Sequence, residues 1–517
     1  MSLGLFGRAA GMQAPRLLGA WFDSERSGWA VWILLALFVV VWTAFHIISN
    51  AALDLHDDIT EIYTWSRTLR PGYYKHPPLG ALMAAPWFVL FPAADWSFRL
   101  FAMLNAALAL FAVDLIARRY LSGDKRLLAL LLLLLMPFYQ FFSERFASNQ
   151  TLLATWPLAT YCFLRAFETR GFWWSAAAGV AAAAAMLGKY YSIYLIGSFV
   201  VAALAHPARW TYLRSPSPWI SAVVGLLVLS PHVHWLMTTG FQPFAYAIDV
   251  HGRDSAAVLA WRAITYVAGA FAYVAVPFAV YLVVARPSRA TLLEVLWPAD
   301  ARRRMLVVLL AGQVLLPPLT APFFGMRLTS LWSMQAWFLL PIVLLSPSGV
   351  TVPRWRAEWV AVGVAAVAAA ALLASPALAW FYHLSGLRMD RAYFSAVSDE
   401  LTRQWRRATD RPLRIVLGTT DLAASATFYM PDHPHSAPIN WVWAFPWITE
   451  QRLRGEGWAA VCPATDRLCP EIARLRAAAH NGVRMNEVEL APRFFGHAGA
   501  PRRFLFVIVP PAQARQP

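Results

Sequence analysis

Asp54-Leu-His-Asp-Asp-Ile-Thr-Glu-Ile-Tyr-Thr-Trp-Ser-Arg-Thr-Leu-Arg-Pro-Gly-Tyr-Tyr-Lys-His-Pro-Pro-Leu-Gly80 follows the first long apolar segment of the chain. It gathers four acids, three strong bases, two histidines and four aromatics beside a membrane-length apolar run. So much charge between apolar walls points to a reaction centre, and the remaining chain reads as its scaffold.

The 517 residues are 59% hydrophobic and only 14% charged, with a mean hydropathy of +0.48. A soluble domain carries roughly 25% charged residues. Apolar runs of spanning length recur without strand-like alternation, which predicts a polytopic α-helical membrane protein and excludes a β-barrel. Nucleic acid is not an expected partner despite the net charge of +16. The bases fall mostly in short loops between apolar runs, where topology and membrane lipids account for them.

The expected order is a cytoplasmic N-terminus over 1–28, a transmembrane unit over 29–382 and an outer domain over 383–517. Spans are expected near 29–49, 97–117, 127–142, 150–167, 172–188, 190–205, 218–238, 257–285, 304–323, 329–347 and 357–381, about eleven in all. The run 79–91 is short of the roughly 20 residues a span needs and is read as interfacial or re-entrant. The expected inner loops then hold Arg118, Arg119, Lys125, Arg126, Arg302, Arg303 and Arg354 among others. The outer side holds few bases: Arg67, Arg70, Lys75, Arg145, Lys189, Arg253 and Arg327. Counting 79–91 as a span would invert this asymmetry. In the tail, 413–418, 458–462 and 504–509 read as strands and 394–408 and 466–480 as helices, a small α/β domain. Cys462 and Cys469 pair if the tail faces an oxidising compartment; two free cysteines is the equal alternative.

Asp57 and Asp58 are candidate general bases toward an acceptor hydroxyl. The ordinary alternative is a solvated loop acid, or an N-cap for a helix from Ile59. Lys75, between aromatics and prolines, suits a phosphate as a point charge, against simple snorkelling. Lys189 stands between two apolar runs, a costly position that marks a functional candidate. Arg145 either completes the phosphate site or pairs with Glu144. His232, and His251 in the next outer loop, fit no metal-ligand spacing. They are read as cavity residues or satisfied interface histidines, and neither a metal nor another cofactor is expected.

The order of acid, Lys75-His76-Pro77-Pro78-Leu79, short apolar helix and Arg99-Leu100 resembles family 39-type glycosyltransferases. This is the protein mannosyltransferase and lipid A aminoarabinose transferase superfamily, with the GT-C fold. Further matching blocks are Asn149-Gln150-Thr151, Met186 to Ser192, Pro231-His232 and Thr329 to Trp332. The similarity runs over roughly 30–380. It implies an inverting enzyme of the bacterial cytoplasmic membrane, acting on the periplasmic side. The donor would be a polyprenyl-phosphate-linked sugar and the acceptor a glycolipid, glycan or protein. The family's first-loop acid falls on Asp58; Ile59 departs from the usual acidic pair, leaving Asp57 or Glu61 as second acid. Lys75, Lys189 and Arg145 then become the expected phosphate ligands. Tyr74, His76, Asn149, Tyr190, Tyr191, His232 and His251 become the expected cavity. A transporter or flippase of a lipid-linked saccharide is the alternative, but it calls for midplane charges and repeated halves, which the sequence lacks.

Overall fold

The computed structural model describes residues 16–25, 28–251, 254–387 and 389–511. Most of the expected N-terminal segment lies outside these residues. The membrane unit is built from α1 (Trp29–Ser49), α2 (Asp57–Ser66), α3 (Leu79–Leu90), α4 (Asp95–Ala117), α5 (Asp124–Leu133), α6 (Ser148–Thr169), α7 (Phe172–Gly188), α8 (Ile193–Ala205), α9 (Ser217–Thr238), α10 (Gln242–His251), α11 (Ala256–Ala285), α12 (Ala301–Phe324) and α13 (Arg354–Ser385). Among the described residues six of these, α1, α4, α9, α11, α12 and α13, are long and apolar enough to cross a membrane.

Two expected spans are broken. In 127–142 the α-helix stops at Leu133, and a π-helical turn over Phe138–Phe142 follows Pro137. Proline has no N–H to give and its ring crowds the preceding turn. The 329–347 stretch consists of 3₁₀ turns at Ser330–Ser333 and Trp337–Leu339 before the short helix Leu340–Leu345. Elsewhere small residues let helices approach. A Cβ at Gly179 of α7 would lie 2.4 Å from the Ser221 carbonyl oxygen of α9, the close backbone contact that membrane helices use in place of a hydrophobic drive.

Ion pairs fix which loops share an end of the bundle. Arg126, after α4, donates to Glu25, before α1, over 2.9 Å. Two crossings, α1 and α4, return the chain to its starting end; a third at α3 would not. The twelve-residue α3 is also only about 18 Å long. The same end holds Arg354 paired with Asp23 and Asp124, so several loops expected to be cytoplasmic do share one end.

At the other end sits a C-terminal unit of α14 (Phe394–Ala408), β1 (Ile415–Gly418), α15 (Thr420–Tyr429), β2 (His435–Pro438), β3 (Trp458–Pro463), α16 (Cys469–Ala477), β4 (Arg484–Leu490) and β5 (Arg502–Val509). The sheet order is β2-β1-β3-β5-β4, with β1 parallel to both neighbours and β5 antiparallel to β3 and β4. Cys462 and Cys469 are disulfide-bonded, tying β3 to the start of α16. The unit is docked on the first loop. Asp54 accepts from the Ser395 amide over 3.1 Å, and Arg391 donates to the Asp54 carbonyl over 2.9 Å. Tyr429 of α15 donates to Asp95 over 3.1 Å while its oxygen accepts from the Leu55 amide over 2.7 Å.

Candidate active site

The first loop folds back on itself. The helix α2 starts at Asp57, with His56 as N-cap: its Nδ1 accepts from the Asp58 amide. Neither acid is therefore the cap, and the helix starts two residues before Ile59. Both acids occupy the first turn, where the helix dipole favours negative charge. The return is fixed by Tyr73, whose hydroxyl donates to the Trp65 carbonyl over 2.9 Å and whose ring stacks on Trp65 at 4.7 Å. This brings Lys75 beside Asp58 and Glu61, which lie three residues apart on one face of α2.

Lys75 Nζ lies 3.0 Å from Glu61 Oε2 and 3.3 Å from Asp58 Oδ1. The second Asp58 oxygen accepts from Arg145 over 2.8 Å. Tyr74 donates to Glu61 over 3.0 Å. Glu144 faces away from Arg145 and pairs with Arg99 at 3.3 Å, so the adjacent-pair alternative for Arg145 fails. The Asp57 carboxylate faces the same His56 Nδ1 at 2.5 Å, a contact that needs the nitrogen protonated and so competes with its capping of the Asp58 amide.

Lys189 follows Gly188, where a Cβ would meet Thr151 Oγ1 at 2.5 Å. Glycine lets the end of α7 lie against α6, and the lysine then reaches Asn149 Oδ1 at 2.7 Å, 4.0 Å above the Trp332 ring. No carboxylate lies within ion-pair distance of Lys189 among the described residues. Asp58, Glu61, His76, Asn149 and Lys189 line one cavity of about 40 Å³. That is far below the roughly 300 Å³ at which ligand pockets begin, so a sugar enters only if side chains move. Asp58 is 27% exposed and Glu61 only 7%, so of the two acids lining this cavity Asp58 is the more open.

The charges settle accordingly. Burial alone would raise the Asp58 carboxyl, but Lys75, Arg145 and His56 outweigh it and hold Asp58 well below the usual carboxylate range. Burial prevails at Glu61, whose carboxyl is raised even against Lys75. Burial disfavours the Lys75 charge, yet Glu61 and Asp58 more than restore it and keep Lys75 cationic. Burial, then the charges of Lys75 and Lys189, push His76 well below its ordinary value, so it is neutral.

The other expected cavity residues divide. His232 Nδ1 donates to the Pro71 carbonyl over 2.6 Å, which leaves Nε2 to accept from Tyr190 over 2.9 Å. This pair clamps the loop to α9 without entering the small cavity. Tyr191 turns away to Tyr266, 3.0 Å between hydroxyls. The His251 side chain and Arg253 lie outside the described residues. His56, Asp57 and Asp58 hold ligand atoms within 4.8 Å of one another, a spacing that admits a cation, although Asp58 already serves Lys75 and Arg145. Sequence reading missed the contribution of α15: Thr60 and Ser425 hydroxyls are 3.3 Å apart, a contact across 365 residues that no local pattern carries.

Residues 75–235 match the family model described as dolichyl-phosphate-mannose-protein mannosyltransferase. The fold is similar to that of ArnT from Cupriavidus metallidurans bound to undecaprenyl phosphate. The TM-score is 0.57 at 16% identity, over 93% of this chain and 98% of that one. The apo state of the same protein gives 0.57 and 16% over 94% and 98%. No curated protein matches the sequence. The chain therefore has an ArnT-like GT-C fold, and its segment 75–235 is similar to protein mannosyltransferases.

Proposed function

We propose that the chain is an inverting glycosyltransferase that moves a sugar from a polyprenyl-phosphate carrier to a lipid, polysaccharide or protein acceptor at the outer face of the cytoplasmic membrane. The observation that carries this reading is that Asp58 lines one cavity with Lys189 while Lys75 and Arg145 both contact its carboxylate. A base and several cations side by side suit a reaction in which a hydroxyl loses its proton while a phosphate leaves. The undecaprenyl phosphate bound to the structurally similar ArnT supports a carrier of that chemistry.

In the reaction the acceptor hydroxyl oxygen attacks C1 of the donor sugar and its proton passes to Asp58. The bond from C1 to the phosphate oxygen breaks, and the electron pair stays on the phosphate. In the empty site Asp58 is a poor base, because two cations hold its carboxyl down. The arriving phosphate draws Arg145 and Lys75 toward itself. Asp58 then regains basicity when the donor is in place, and the narrow cavity opens in the same movement. Lys189 has an amide and an aromatic face for partners; burial lowers its amine to about 7, and an arriving phosphate would hold it protonated.

Two observations support the outer face. The C-terminal unit sits at the end of the bundle that holds Asp58, and it carries a disulfide of the kind oxidising compartments keep. Transfer by the purified protein, with a polyprenyl-phosphate sugar as sole donor, tests the reading. No release of polyprenyl phosphate in the presence of acceptor would refute it.

A further inference from the structure

A cleft of about 320 Å³ opens next to the acids, walled by the first loop, the end of α9 and residues 443–447 of the C-terminal unit. Trp65 lines both this cleft and the cavity of Asp58. Tyr74, which holds Glu61, lies 5.4 Å from Phe445 across the boundary. The cleft is thus one side chain away from the proposed reacting atoms.

Its walls are of two kinds. Aromatic faces come from Trp65, Trp235, Trp443 and Trp447, and Trp443 is 63% exposed on the C-terminal unit. Sugar rings bind such faces, because their axial C–H bonds point partial positive charge at the negative face of the ring. The charged element is Arg70, 5.4 Å over the Trp447 ring. A second cleft of about 320 Å³ carries Arg67 and Arg414, together with Asp432 and Glu456, whose charges are taken by Arg406 and Arg452. Among the described residues no carboxylate lies within ion-pair distance of Arg67, Arg70 or Arg414. Most other arginines at this end have such partners: Arg99, Arg145, Arg327 and Arg452 are all paired. An arginine fork left open beside stacked aromatics calls for a bidentate oxyanion.

We propose that this cleft is the acceptor subsite and that it takes an anionic saccharide, its ring on the tryptophans and its carboxylate or phosphate on Arg70, with Arg67 and Arg414 receiving further charge along the chain. The assignment to the acceptor rests on the transferase reading above; the binding of an anionic saccharide does not. It also gives the C-terminal unit a direct part in substrate choice, since residues 443–447 form one wall.

The test uses the full chain in lipid nanodiscs without donor, with digalacturonic acid and neutral galactobiose as probes. Binding is followed by tryptophan fluorescence and saturation-transfer NMR. The acidic disaccharide should bind at least tenfold more tightly than the neutral one and lose affinity as salt is raised. Arg70→Gln and Trp443→Ala should each weaken it about tenfold. Both side chains are exposed, so folding is not at stake, and binding of undecaprenyl phosphate alone should be unchanged in both. Equal affinity for the two disaccharides, no binding of either, or full affinity in both variants would overturn the proposal. These outcomes leave the transferase reading standing, because no turnover is involved. Intact saccharide binding without any transfer would strike that reading instead.

Discussion

The Arg145 guanidinium donates to the Asp58 carboxylate over 2.8 Å, across 87 residues of chain. With Lys75 on the other oxygen at 3.3 Å, the carboxylate is ionised and pinned until something competes for the cations. The competitor in our account is the carrier phosphate, and the first two predictions follow from that.

Asp58→Asn removes the base and keeps the shape. Transfer should fall by roughly 10²–10⁴-fold, the usual contribution of a general base, with the protein still inserted and folded. Asp57→Asn should be milder, because Asp57 serves His56. Steady-state transfer rates of the two variants decide the order, and a reversed order would assign the base to Asp57.

Lys189→Ala should weaken dependence on donor by about ten- to a hundredfold, since a charge-assisted contact contributes roughly 1.5–3 kcal/mol. Lys75→Ala should do the same and also destabilise the fold, because it leaves the buried Glu61 without a cation and Asp58 with Arg145 alone. Donor titration and thermal unfolding separate the two effects. Wild-type donor dependence in both variants would leave these lysines as structural only.

Gly72→Ala tests how the loop is held. The added Cβ would stand 2.3 Å from Cε3 of Trp235, so the indole or the loop must shift. Overpacking of this kind costs roughly 1–3 kcal/mol. We expect a lower unfolding temperature and a slower enzyme, because the same loop sets Tyr73, Tyr74 and Lys75. Normal turnover and stability would mean that the loop gives way freely.

Much of this loop was legible in the sequence. The spacing of Asp58 and Glu61, the Pro-Pro stop and the short α3 follow from local rules, and the strands at 415–418, 458–463 and 502–509 lie close to the expected ones. What local rules miss is set by distant packing. The helix α15 is buried almost throughout, so it has no amphipathic stripe to read. The edge strand β4, Arg-Met-Asn-Glu-Val-Glu-Leu, is mostly exposed and charged. Arg145 reaches Asp58 from the segment after a π-helical turn that follows Pro137, a break that the apolar run 127–142 conceals.

The docking of the C-terminal unit should depend on pH through Asp54. Burial pushes its carboxyl up to about 6, against the hydrogen bond from Ser395 and with repulsion from Asp95. The folded state therefore binds this proton more tightly than the unfolded state, whose value is near 3.8. Stability falls as pH rises from about 4 to about 6, and the full cost, at most about 3 kcal/mol, persists above that. Asp54→Asn should flatten this slope and raise stability near pH 7. Hydrogen exchange in Phe394–Ala408 across pH 4–7 reads the effect; an unchanged slope in the variant would contradict it.

The most direct test of the central claim uses membranes of a strain deleted for this protein, in which the unused donor should accumulate. Purified wild-type or Asp58→Asn protein is added, and polyprenyl phosphates and glycoconjugates are followed by mass spectrometry. The account predicts that the wild type converts a polyprenyl-phosphate sugar to polyprenyl phosphate while one glycoconjugate gains the mass of that sugar, its anomeric centre inverted by NMR, and that Asp58→Asn does neither. An accumulated donor that the wild-type protein leaves untouched, or equal conversion by Asp58→Asn, would contradict it.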